Sequence, residues 1–172
     1  MRKFYVGLVL GQAQDYTAIA IVEHSKDEPI PGNVLIMGKK REPKPEEYHI
    51  RHLERPELGT PYPAIVERVQ KLMKSDQLLN RTRLIVDATG VGRPVVDMFR
   101  QARLQPVAVT ITGGNAVTTG NGGLYVPKRD LVSNLQVLFQ SGKVKVARNL
   151  KLATVLVDEL LNFKVKINVK TA

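Results

Sequence analysis

Leu84-Ile85-Val86-Asp87-Ala88-Thr89-Gly90-Val91-Gly92 decides the architecture. Three consecutive apolar residues without polar alternation read as a short strand covered on both faces, ending at Asp87. Two glycines make the turn, and Pro94 then falls in the first turn of a helix whose Val95, Val96 and Phe99 share one face. The unit is therefore strand, glycine turn, helix. Upstream, Thr60-Pro61 is a cap and first-turn signal for a helix with Ile65, Val66, Val69, Leu72 and Met73 at helical spacing. Downstream, Pro106 to Ile111 reads as a strand, and Pro127 opens a helix carrying Leu131, Val132, Leu135, Leu138 and Phe139, closed by Ser141-Gly142. The short strand Val144-Lys145-Val146 follows, then a helix with Leu152, Val155, Leu156, Leu160 and Phe163. The tail from Lys164 to Ala172 alternates basic and apolar residues, a strand signature.

The N-terminal part is built differently. Phe4 to Leu10 and Tyr16 to Glu23 are rich in β-formers and are separated by Gly11-Gln12-Ala13-Gln14-Asp15, which predicts a hairpin. Residues 25 to 47 are polar except for Val34-Leu35-Ile36-Met37, a short strand candidate, and Tyr48 to Leu53 alternate imperfectly as another strand. Hairpins first and strand-helix alternation afterwards predict an α/β fold with a mixed sheet flanked by helices, not a purely parallel Rossmann sheet. Between Gly113 and Gly123 lie five of the thirteen glycines, so that loop is expected to be mobile.

At 172 residues, 43% hydrophobic and 24% charged, the chain fits one folded domain spanning 1–172. No cysteine is present, which excludes disulfides and thiolate zinc sites. The apolar run after Met1-Arg2-Lys3 is too short and too interrupted for a signal or a membrane span, and a soluble protein is expected. Lys and Arg number 26 against 16 Asp and Glu, a formal net charge of +10 that suits a polyanionic partner such as nucleic acid, or simply a solubilising surface.

Among residues that can do chemistry, Asp87 stands where open α/β sheets place ligand groups, at a strand end before a glycine turn. It fits two roles: a metal ligand, or a cap for the turn that follows. Gly90-Val91-Gly92 lacks the third glycine of a dinucleotide fingerprint, and no P-loop occurs. Lys128 and Arg129 open the third helix, where backbone N–H groups and cationic side chains together suit a phosphate, or form a solvated helix end. His24, His49 and His52 have no zinc spacing, and residues three apart on a strand are expected on opposite faces, so these read as structural. Glu23, Asp97, Asp130 and Glu159 read as surface or capping charges.

Three ordered segments carry a resemblance: Tyr5-Val6-Gly7-Leu8-Val9-Leu10-Gly11-Gln12-Ala13-Gln14-Asp15-Tyr16-Thr17-Ala18, Leu84 to Gly92, and Val126-Pro127-Lys128-Arg129-Asp130-Leu131-Val132. Together they resemble the C-terminal nuclease domain of the phage terminase large subunit, of the RNase H-like superfamily. Weaker likeness at Tyr62–Val66, Val107–Gly114 and Glu159–Phe163 extends it over nearly the whole chain. The resemblance implies an RNase H-like mixed sheet, a three-stranded antiparallel meander followed by β/α units. It also implies a DNA endonuclease of phage or prophage DNA packaging, holding two Mg²⁺ or Mn²⁺ ions on convergent carboxylates.

Carried over by position, the later-strand acid is Asp87, which makes it the implied catalytic and metal-binding residue. The first-strand acid falls on Val9, which cannot bind a cation. Asp15 matches a residue recurrent in the family and is the candidate to stand in for it, although six residues along a hairpin is several ångströms away. The third acid belongs to a segment beyond the last helix, and the chain ends at Ala172 before one. Two functions follow: a metal-dependent endonuclease, or a degenerate non-cleaving module that keeps the fold and binds DNA through residues such as Lys128 and Arg129. The implied partners are double-stranded DNA, a terminase ATPase domain or chain, the small terminase subunit and the portal, in the bacterial host cytoplasm and with no membrane.

Overall fold

A computed structural model describes residues 2–11, 14–27, 35–36, 39–40, 44–90, 92–120 and 122–163. The expected hairpin forms: β1 (Arg2–Val9) and β2 (Ala18–Ser25) pair antiparallel from Arg2↔Ser25 to Val9↔Ala18. Two short strands, β3 (Leu35–Ile36) and β4 (Lys39–Lys40), pair only with each other, and Val34 and Met37 of the expected strand lie outside the described residues. β5 (Glu47–Glu54) completes an antiparallel meander on the far side of β2.

The β/α part follows as α1 (Tyr62–Met73), β6 (Thr82–Asp87), α2 (Gly92–Gln101), β7 (Val107–Thr112), β8 (Thr118–Gly120), β9 (Gly123–Pro127), α3 (Lys128–Gln140), β10 (Val144–Val146) and α4 (Ala153–Leu161). The main sheet has the order β10-β5-β2-β1-β6-β7-β9-β8, with β1, β6, β7 and β9 mutually parallel. The tail strand expected over 164–172 lies outside the described residues.

The two faces of the sheet are covered unequally. On one face Val6, Leu8, Leu84 and Val86 pack under Ile65 and Val69 of α1 and Val95 and Phe99 of α2. Each of these side chains is almost wholly removed from water, a gain of about 1.5–3 kcal/mol for each large apolar one. The other face, under α3 and α4, is looser: neither helix buries a residue fully, and Leu131, Leu135 and Val155 are 37–42% exposed. No helix among the described residues is long and apolar enough to cross a membrane.

Four local expectations change. Thr60 does not cap α1: Pro61 occupies the cap position, and the Thr60 hydroxyl donates back to the Glu57 carbonyl at 2.6 Å. The glycine-rich stretch is not an open loop throughout, because Thr118–Gly120 pairs antiparallel with β9 as a hairpin. Glu23 is not a surface charge: it is 5% exposed and ion-paired to Arg2 at 3.3 Å and Arg51 at 2.7 Å. His49 and His52 share a face, because a bulge at Arg51 pairs them with Glu23 and Ile21, which lie two apart on β2.

Candidate functional site

β1 and β6 end side by side at Val9 and Asp87, and the pairing continues that row to Val109 of β7 and Leu124 of β9, two parallel strands that run three residues further. The glycine turn after β6 is shaped by Asp87 itself. Its Oδ1 accepts the Thr89 backbone N–H at 2.9 Å and the Thr89 hydroxyl. Thr89 Oγ1 in turn accepts from the Ile111 N–H at 2.8 Å, and the Ala88 N–H donates to the Val109 carbonyl at 2.8 Å. Asp87 thus caps its own turn and ties it to β7, the structural role that competes with metal binding.

Val9 is its neighbour on β1, directly in register and half exposed at 50%. The register neighbour of Asp87 on β1 is therefore a branched hydrocarbon and not a second carboxylate. Asp15 does not fill the gap. It is exposed and lines a separate small groove with Thr17, Glu57 and Tyr62. Its loop is folded tightly back: the Gly11 N–H donates to Thr17 Oγ1 at 3.1 Å, and Tyr62 donates its hydroxyl proton to the Gly11 carbonyl at 3.2 Å. A Cβ on Gly11 would lie 1.9 Å from the Asp15 carbonyl oxygen, so only glycine admits this path.

Asp87 opens onto a cavity of about 520 Å³ between the sheet and α4, walled by Ile111, Leu152, Val155 and Leu156. Two further acids line it, Glu54 and Glu159. Both are engaged: Glu54 takes a bidentate bond from Arg68 at 2.8 Å and lies 3.0 Å from His52, and Glu159 accepts from Arg55 at 2.7 Å. The hydrogen bonds from Arg68, reinforced by His52 and opposed by burial, hold the Glu54 carboxyl below its ordinary range. Neither Glu54 nor Arg55 was expected at the site. Their one signal is position, at the end of a strand antiparallel to β2 and hence beside the β1 carboxyl end.

Lys128 and Arg129 follow β9 directly, past the same strand edge. Lys128 Nζ lies 5.8 Å from the ring centroid of Phe163, two residues past the end of α4, a cation–π contact. Arg129 donates to the Asn115 carbonyl at 2.8 Å and to Asp130 at 3.3 Å, pinning the glycine-rich stretch to α3. The three histidines each face a glutamate: His24 and Glu46 at 2.9 Å, His49 and Glu47 at 2.9 Å, His52 and Glu54 at 3.0 Å.

A divalent pair needs several convergent oxygen ligands. Among the described residues no group of three or more His, Asp or Glu side chains is arranged to hold a metal ion, and the register neighbour of Asp87 is apolar. The described residues do not fit a two-metal centre.

No family model matches the chain, and no curated protein matches it. Among solved structures it is similar to the crystal structure of the large terminase nuclease from thermophilic phage G20c with bound zinc. The TM-score is 0.59, with 20% sequence identity, covering 95% of this chain and 71% of that one. The likeness establishes the fold: the mixed sheet, with its meander and β/α units, is the RNase H-like arrangement.

Proposed function

We propose that this chain is a nuclease-type domain of a phage or prophage DNA-packaging terminase, one that holds double-stranded DNA without cutting it. The observation that carries this reading is the Val9↔Asp87 pairing, which puts a hydrocarbon beside the lone carboxylate of the strand edge. A single carboxylate already engaged in its own turn is a poor holder of two cations. What remains useful is the basic chain, net +10, and the strand edge where Lys128 and Arg129 stand beside backbone N–H groups at the start of α3. In this reading the ATPase domain or chain, the small terminase subunit and the portal are its packaging partners, in the host cytoplasm.

The second reading is a Mg²⁺- or Mn²⁺-dependent endonuclease, favoured by Glu54 and Glu159 lining the same cavity as Asp87. Supercoiled-plasmid cleavage in Mn²⁺ separates the two, comparing the chain with Asp87→Ala and Val9→Asp. The non-cleaving reading expects an inactive parent and, with the edge geometry intact, a gain in Val9→Asp. Cleavage by the parent that Asp87→Ala abolishes would overturn it.

A further inference from the structure

We infer that the opposite edge of the sheet, where β1 and β6 begin, is a second nucleic-acid contact gripping a phosphate backbone through Lys3, Arg81 and Arg83. An open groove of about 700 Å³ is lined there by Arg2, Lys3, Tyr5, Asn80, Arg81 and Arg83 among others, and no lining residue is acidic. All four cations are exposed. Arg2 already pairs with Glu23 at 3.3 Å, whereas Lys3, Arg81 and Arg83 make no ion pair among the described residues.

The sheet itself concentrates this charge. Tyr5 is in register with Arg83, and the Phe4 N–H donates to the carbonyl of Arg81, the residue just before β6, at 2.9 Å, which brings Arg81 beside the start of β1 in the groove that Lys3 also lines. Neighbouring strands are only about 4.8 Å apart, and like charges at that spacing repel. An anion bound across them relieves the repulsion, and a guanidinium presents a planar fork that matches a phosphate in two bonds. Tyr5 adds a phenolic hydroxyl beside Arg83, a further donor for a phosphate oxygen. Lys3 is six residues from Val9 along β1, roughly 20 Å of strand, which makes this contact distinct from the Asp87 edge. DNA running along the sheet would touch both ends.

The inference rests on the reading that DNA is the partner, and the test keeps the two apart. Binding of a fluorescein-labelled duplex by the full chain is followed by anisotropy across a salt series. The triple variant Lys3→Gln/Arg81→Gln/Arg83→Gln is expected to bind about tenfold more weakly at low salt, with a log–log salt slope shallower by about two to three. The charge-keeping variant Lys3→Arg/Arg81→Lys/Arg83→Lys should restore the slope, which a folding defect would not allow. A folded triple variant with the parent's affinity and slope overturns the inference. So does DNA binding that only Lys128→Gln/Arg129→Gln removes, which leaves the proposed function standing, while a parent that binds no duplex removes both. If the triple variant instead loses binding of poly-L-glutamate and keeps that of DNA, the groove serves an acidic protein surface.

Discussion

At the scale of single residues, the pairing of Val9 with Asp87 matters most for chemistry and Gly123 for the integrity of the edge. Gly123 has φ +137°, and a Cβ there would lie 2.2 Å from the Ala108 carbonyl oxygen. Backbone conformation and contact with a rigid partner both oppose a side chain, so Gly123→Ala is expected to destabilise the domain by about 1–3 kcal/mol. Urea denaturation checks this; an unchanged midpoint would mean that β9 shifts freely against β7. Asp87 was legible as a candidate site residue because a lone acid ends an apolar strand. Its turn bonds to Thr89 and its apolar neighbour required the register. The position of Val9 in the family pattern pointed the same way, but side-by-side placement with Asp87 comes only from β1 and β6 running parallel. Asp15 shows the limit of counting along the chain, since a loop doubled back at Gly11 turns it into another groove.

At the scale of elements, the helices differ in what they bury although their apolar spacing looks alike. In α2, Phe99 is fully buried in the core, and Phe99→Ala is expected to cost about 3–5 kcal/mol. In α3, Val137 is 60% exposed, and Val137→Ala should change stability by less than about 0.5 kcal/mol. Thermal unfolding of the two variants side by side measures the contrast, and equal losses would mean that α3 is packed as tightly as α2. Periodicity identified both helices, because it reports which side chains share a face. It does not report how closely that face approaches a sheet. The same limitation explains His49 and His52: simple alternation separates them, and a bulge at Arg51 reunites them.

At the scale of the whole molecule, a few ion pairs join distant segments. Arg68 on α1 holds Glu54 at the end of β5, lowering the Glu54 pKa, and its own pKa is raised by the same bond. A lowered carboxyl contributes stability that is complete above its unfolded value, about 4.3, and is lost as pH falls through the lower folded value. The stability gap between the parent and Arg68→Ala should therefore be open at neutral pH and close in acid. Urea titrations at both conditions test this, and a gap independent of pH would assign the effect to packing. The sequence by itself determined the class of fold, the order of nearly every strand and helix, and the candidacy of Asp87, since these depend on local periodicity, turn residues and the chemistry of single side chains. Tertiary structure alone decided that Val9 faces Asp87, that Glu54 and Glu159 join that cavity while Asp15 does not, and that cations gather at the far edge. Those are contacts between segments tens of residues apart, and sheet register, bulges and loop closure set them.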